Sequence, residues 1–432
     1  MLFKACITLT LVALFARSAF SQAVTREATA TAATEANVTL IALIAESLKG
    51  NPEILAARSE AEAARQRIAP AGALDDPMLE AGLINVPTNS WRLNREDMTM
   101  KMLGLTQRLP YPGKRALRQE VATKDAGTVE QGYRETINRV AREVKLAYFD
   151  LGLAIETARQ LGETTRVLEQ FLRIAEARYN VGQGTQADVL KAQTQSAKMS
   201  EELLRMQREI PVTQAELTKL LGRAALAPIG APLPAVSEAS FDLDALREAA
   251  LRQRPQLIGL RNVIDKGEAA IELARKDYNP DFDLRLSYGQ RQNGPEDMRR
   301  SDMISLTVAI NLPIWRASKI EPRIAEAHAM RDAARSMYQA QENETVSKLR
   351  QQAATAEQSR RSARLYDSAI LPQALLALES TLVSYRVNRA DLLMLLDSQM
   401  SLFGYRIGRA AAAVNFNKAL AEIEFLTGAA PQ

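Results

Sequence analysis

Between Pro110 and Tyr179 the chain repeats small or apolar residues at alternating steps of three and four, and this run limits the fold more than any other feature. From Tyr133 the series continues through Ile137, Val140, Val144, Ala147, Leu151, Ala154, Ala158, Leu161, Leu168, Leu172, Ala175 and Tyr179, and only Thr165 interrupts it. Such spacing keeps one narrow stripe of a helix turned towards a partner helix, the seam of a coiled coil. No proline follows Gly113 before Tyr179. At ~1.5 Å per residue, nearly seventy helical residues span on the order of 100 Å, too long for one compact domain. The run predicts a tube or a stalk.

Composition agrees with long helices. Aromatic residues make up 5% of the 432, and 55 basic residues nearly balance 51 acidic ones for a net charge of +4. The charges are interspersed, so no basic block suggests a nucleic-acid surface. Residues 1–21 read as a secretory signal, with Lys4 at its start, an apolar stretch from Ile7 to Ala16 and the small-x-small site Ala19-Phe20-Ser21. That stretch is shorter than the ~20 residues a membrane-spanning helix needs. The only cysteine, Cys6, lies within it and lacks the setting of a lipoprotein cysteine.

A loose leader is expected over 22–36, then a helix from about Val38, capped by Asn37 and bent at Asn51-Pro52, as far as Ala69. Two strands follow, Met78–Val86 and Met98–Leu109, before the long helix, and a further helix spans Thr185–Leu221. Residues 223–240, with Pro228, Gly230, Pro232 and Pro234, form an extended linker. The pattern then returns. Pro52, Pro77 and Pro110 recur 203 residues later as Pro255, Pro280 and Pro313, while Tyr179, Val181, Leu190, Gln193 and Gly222 recur 206 residues later. The chain is an internal duplication, 37–222 and 241–428, with a short tail at 429–432. The three added residues fall inside the second long helix.

The second copy shows its strands most clearly. Phe282, Leu284, Leu286 and Tyr288 alternate with Asp281, Asp283, Arg285 and Ser287, and Ile304, Leu306, Val308 and Ile310 alternate with Ser305, Thr307 and Ala309. A membrane β-barrel strand has this pattern, and so does a sheet packed on one side. No element remains to cover the apolar face, which favours lipid. Four strands cannot close a barrel, because the smallest have about eight. Three copies pooling four strands each would make twelve, continued by a tube of the long helices.

Ala177-Arg178-Tyr179-Asn180-Val181-Gly182 leading into Ala187-Asp188-Val189-Leu190, with Ser384-Tyr385-Arg386-Val387 leading into Leu395-Leu396-Asp397, resembles the TolC family of outer-membrane efflux channels over essentially the whole mature chain. Asp75-Asp76-Pro77-Met78, Met98-Thr99-Met100-Lys101 and Gln107 to Arg115 look like its heavy-metal efflux branch. The resemblance implies a mostly α protein with a membrane β-barrel, working as a homotrimer in the outer membrane of a Gram-negative bacterium and extending into the periplasm. It implies a passive duct, without cofactor, that meets a periplasmic adaptor and an inner-membrane pump of the RND type. Tyr179, Val181, Gly182, Tyr385, Val387 and Arg389 would form the adaptor-docking tips, and Asp188, Asp391 and Asp397 would be gate candidates. Asn388-Arg389 replaces Gly182-Gln183 in the second copy, so the second tip is expected to turn differently. Three-fold rings of carboxylate select or gate cations, but acids near a helix N-terminus also belong there without any gating role.

Met100 and Met102, with Ser305 and Thr307, fall on the strand face predicted to line the lumen. Thioethers suit soft metals and equally fill irregular packing, and no metal site is assigned. Gly182-Gln183-Gly184 begins a nucleotide-binding pattern, but Ala187 replaces its third glycine and no strand precedes it. His328, the only histidine, has no partner set for zinc or catalysis. The sequence contains no nucleophile–base pair, so an enzyme is not expected. The competing readings are a periplasmic coiled-coil adaptor and a type I protein-secretion duct of the same fold.

Overall fold

The computed structural model describes residues 40–225, 229–238, 240–295 and 298–429. The signal, the leader, the Asn37 cap, Pro228 of the linker and residues 430–432 lie outside them. The first copy contributes helices α1 (40–50), α2 (Pro52–Gln66) and α3 (Ile68–Gly72), strands β1 (Met78–Ile84) and β2 (Met100–Leu109), and helices α4 (Lys114–Asn180) and α5 (Gln186–Leu221). The second contributes α6 (Leu243–Gln253), α7 (Pro255–Arg275), β3 (Phe282–Arg291), β4 (Met303–Ile310), α8 (Glu321–Leu365), α9 (Leu371–Arg386) and α10 (Leu392–Thr427). Two compact units result. One takes the described residues up to Ala57, Arg134–Arg254 and those from Asn343 onward; the other takes Arg58–Tyr133 and Pro255–Glu342. Each unit therefore draws on both halves of the duplication.

The 67-residue α4 is unbroken, as its periodicity requires. Val140, Val144, Ala147, Leu151, Ala154, Leu161, Leu168 and Ala175 are buried. Beyond Leu161 the seam differs from the expected one. Thr164 and Phe171 are buried, whereas Thr165 and Leu172 are only partly covered and Tyr179 is exposed. Steps of three then four from Leu161 reach Leu168 and Ala175 equally well, so the stripe needs no interruption. The second copy has α8, a π-helical turn at Arg316–Ile320 before it and another at Tyr366–Ile370 between α8 and α9. Pro372, which can donate no backbone hydrogen bond, follows that second turn. The longer spacing of the second copy thus falls in a helix that is wound irregularly.

The predicted bend at Asn51-Pro52 is a full break. Asn51 is buried, its side-chain oxygen accepts from the N–H groups of Glu53 (2.8 Å) and Ile54 (3.3 Å), and its amide donates to the Leu220 carbonyl at 2.9 Å. Gly222 ends α5 at φ +70°, where a β-carbon would lie 2.2 Å from the Gly50 oxygen. Gly428 ends α10 at φ +74° and presses in the same way on Gln253 and Arg254, just before Pro255. Both requirements, left-handed backbone and contact with another chain segment, admit only glycine. The linker between the copies is extended but packed: Ile229 and Ala231 are buried, and Glu238 pairs with Arg360 and Arg364.

In the other unit the strands form one antiparallel sheet in the order β1-β2-β3-β4. The register puts Leu79, Leu105, Leu286 and Leu306 in one row and Ala81, Leu103, Tyr288 and Ile304 in the next. Most of these large side chains are exposed, so one whole face is apolar and uncovered. Met102, Gly82 and Gly289 are paired neighbours on the opposite face, as are Thr106, Arg285 and Thr307. No described helix is long and apolar enough to cross a membrane.

Lys114 ties the start of α4 to the start of β3. Its buried ammonium pairs with Asp281 at 2.9 Å and Asp277 at 3.3 Å, and Asp281 also accepts from the Tyr111 N–H at 2.8 Å. Partial burial works against ionisation of Asp281, but that N–H and Lys114 outweigh it and hold the carboxyl below its ordinary value of 3.8. A carboxyl lowered by folding stabilises the protein above its unfolded value, and this contribution is lost as pH falls through the folded value. Acidification below pH 3.8 should loosen the β2–α4 junction in the wild type, followed by hydrogen exchange at Tyr111–Leu117, and Asp281→Asn should abolish that pH step. Val308→Arg, on the apolar face, should cost about 2–4 kcal/mol near mid-membrane and block insertion, whereas Thr307→Arg should insert. Outer-membrane fractionation of the two variants checks this.

Candidate functional site

The loops joining α4 to α5 and α9 to α10 form two hairpin tips with the same backbone. Gly182 (φ +71°) and Asn388 (φ +62°) both take the left-handed conformation. Gly182 N–H donates to the Tyr179 carbonyl and Gln183 N–H to that of Arg178; Asn388 and Arg389 repeat this with Tyr385 and Ser384. The second tip therefore turns like the first, contrary to the expectation. Asparagine is among the few residues with a β-carbon that enter this region readily.

Thr185 caps α5 and Asp391, its counterpart, caps α10. Asp188 completes a capping box, accepting from the Thr185 N–H at 3.1 Å and hydroxyl at 2.8 Å. Asp391 accepts from the Met394 N–H at 2.8 Å. Two of the three candidate acids thus satisfy backbone donors of their own helices. Asp397 is different: its carboxylate is exposed and has no hydrogen bond or ion pair among the described residues. It lies in the second turn of α10, on a helix whose buried side carries Leu392, Leu395, Leu396 and Gln399.

The tip residues divide unexpectedly. Val181 and Val387 are 68% and 59% exposed, Tyr179 is 47% exposed, and Gly182 and Arg389 are also exposed. Tyr385, expected at the docking surface with Tyr179, is buried at 5% and belongs to the core formed by Leu161, Leu168, Ala175, Leu392 and Leu395. Arg178 adds to the cover that this core gives it. Its guanidinium lies 4.6 Å from the Tyr385 ring centre, donates to the Tyr385 carbonyl at 2.9 Å and also donates to the Asn388 side-chain oxygen. The residue equivalent to Arg178 in the second copy is Ser384, which cannot cover Tyr179 in return. Arg178 stands within the Ala177–Gly182 motif, where no role was expected of it, and its replacement by Ser384 in the repeat is the sequence signal for this contact.

On the polar face of the sheet, Met100 packs its sulfur on Gly289, where any β-carbon would lie 2.5 Å away, and the Met102 sulfur is 3.9 Å from the Arg285 guanidinium. Arg285 pairs with Glu80, and Arg108 with Asp283 at 3.6 Å. A guanidinium beside a thioether disfavours a cation there. Ser305 and Thr307 lie on the same face. Among the described residues, no group of three His, Cys, Asp or Glu side chains could hold a metal.

Comparison with known proteins agrees with this architecture. The family model described as outer membrane efflux protein matches residues 43–223 and again 246–429. The chain belongs to the outer membrane efflux protein family. It is 23% identical over 378 residues to the cobalt-zinc-cadmium resistance protein CzcC of Cupriavidus metallidurans, covering 86% of this chain and 85% of that one. It is also 24% identical over 285 residues to the alkaline protease secretion protein AprF of Pseudomonas aeruginosa, where the match spans 57% of AprF and 63% of this chain. Among solved structures, CusC superposes with a TM-score of 0.79 at 16% identity, covering 91% of this chain and 92% of CusC. VceC of Vibrio cholerae gives 0.78 at 19%, covering 91% and 97%. These likenesses show the fold of outer-membrane channels.

Arg178→Ala should uncouple the two tips of this efflux-family chain. Losing charge-assisted hydrogen bonds and a cation–π contact costs about 1–3 kcal/mol. Hydrogen exchange at 385–389 should accelerate at least about tenfold, the equivalent of ~1.4 kcal/mol, while exchange in the sheet stays unchanged.

Proposed function

We propose that this outer-membrane efflux protein is the exit duct of a tripartite exporter, carrying small solutes, heavy-metal cations among them, from the periplasm or cytoplasm to the exterior. The sheet is the observation that carries this reading. Among the described residues its apolar face is uncovered, and β1 and β4 each have only one strand neighbour. Hydrocarbon satisfies no open edge, so copies must join edge to edge. Three copies make a twelve-stranded barrel with the apolar rows on lipid and Met100, Met102, Ser305 and Thr307 on water.

The similarity to CzcC supports metal cargo and an RND-type pump. The shorter match to AprF supports protein secretion as the second reading. Exposed Val181, Gly182, Val387 and Arg389 are the surfaces offered to a periplasmic adaptor's hairpins, with Tyr179 beside them. Tyr385 acts from beneath, by seating Arg178. Asp397 is the gate candidate with a carboxylate to spare, and three copies would supply three. Asp188 and Asp391 are occupied as helix caps.

Deleting the gene should sensitise the host to cobalt, zinc or cadmium salts without changing the proteins released to the medium. Loss of a secreted protein with unchanged metal tolerance would favour the second reading. In a planar bilayer, Asp397→Asn should weaken block of the open channel by multivalent cations, whereas Asp188→Asn should leave block unchanged.

A further inference from the structure

At the junction of sheet and helices, a cavity of about 550 Å³ is lined by Arg108, Lys114, Arg118, Lys319 and Arg323 against Asp75, Asp277 and Asp281. Asp277 and Asp281 are already engaged, whereas the Asp75 side chain makes no ion pair among the described residues. Lys114 takes Asp281 and shares Asp277 with Arg323, which is 2.9 Å from it. Arg118 is near enough to Asp281 to favour its ionised form, yet neither Arg118 nor Lys319 makes an ion pair among the described residues. The five cations of the lining outnumber its three carboxylates, so positive charge is left over. Arg108 sits on the sheet face opposite the apolar rows, which puts the cavity on the water side.

Arg118, Asp277 and Arg323 also line an adjoining hollow of about 830 Å³ between α3, α4, α7 and α8. Its remaining wall is largely apolar, with Val121, Val263, Leu273 and Met330 among small alanines; Asp125 and Lys266, paired with each other at 2.7 Å, and Glu326 are its other charged residues. Forked guanidinium donors suit an oxyanion, and a concave apolar wall with a few convergent charges is the usual form of a small-molecule site. We infer that the joined hollows bind an amphiphilic organic anion, its acidic head at Arg118, Lys319 and Arg323 and its apolar body against Val263 and Met330. Charge complementarity selects this occupant over a neutral solute, and the apolar wall selects it over a bare inorganic anion. The inference rests on the duct reading, since it places the ligand along the transport path.

The test uses the assembled channel in a planar bilayer with 2-naphthalenesulfonate as probe and inorganic sulfate as the head without the body. The naphthalenesulfonate should block the wild type in a concentration-dependent way. Sulfate at equal concentration should block at least tenfold less, and Arg118→Gln/Lys319→Gln should weaken naphthalenesulfonate block at least tenfold with unblocked conductance unchanged. Both side chains are exposed and unpaired, so the variant keeps the fold, and unblocked conductance verifies this. A conducting channel that the probe does not block, equal block by sulfate, or equal block of the variant overturns the inference and leaves the duct reading standing. Inserted protein that does not conduct overturns both. If a second copy of the chain covers the hollow instead, Met330→Glu should break up the assembly and the probe should have no effect, which also overturns it.

Discussion

The outer backbone groups of β1 and β4 have no strand partner among the described residues, and hydrocarbon offers them none. Each unsatisfied group in lipid costs several kcal/mol, so two bare edges carry a penalty larger than the whole stability of an ordinary domain, about 5–15 kcal/mol. Much else follows from that constraint. The duplication supplies four strands in place of two, and with them two equivalent helical hairpins. The apolar rows through Leu286 and Leu306 can stay uncovered because lipid covers them. Lys114 and Asp281 then fix where β2 ends and α4 begins.

The duplication also gives each feature an internal control. Gly222 against Gly50 and Gly428 against Arg254 are one packing solution used twice. Gly182 and Asn388 are one backbone made by two residue types. Departures from the repeat mark where the copies have different work. Arg178 against Ser384 leaves Tyr179 open and closes Tyr385, so only one of two related tyrosines is available to a partner. Asp391 replaces Thr185 as a cap, while Asp397 has Lys191 as its counterpart.

Much of the fold was legible because it follows from period and from glycine and proline. The helical run to Asn180, the strand faces and the repeat needed only residue spacing. The tips were harder. The expected difference at Asn388 treated glycine as the only left-handed residue and neglected asparagine. Burial of Tyr385 comes from a core shared with Leu161, Leu168 and Ala175 and from its contact with Arg178, more than two hundred residues away, which no local pattern contains. The seam past Leu161 was ambiguous because two spacings reach the same next apolar residue, and packing chose Thr164 and Phe171. Asp188 and Asp391 look like ring-forming acids in sequence; only hydrogen-bond geometry shows them serving their own helix ends.

The central claim is that the edges of separate copies meet. Cys6 is the chain's only cysteine and lies in the segment read as a signal, so introduced cysteines can be followed without interference. With Ala81→Cys fixed on β1, a second cysteine should be stepped along β4 from Met303 to Ile310. Paired strands bring Cα atoms within about 4.5–5.5 Å, inside the ~4.4–6.8 Å range that a disulfide bridges. Positions on one face of β4 should give a covalent ladder ending at three copies, and either cysteine alone should give no ladder. A ladder that stops at two copies, or no cross-link at any β4 position in membrane-inserted protein, would contradict the account.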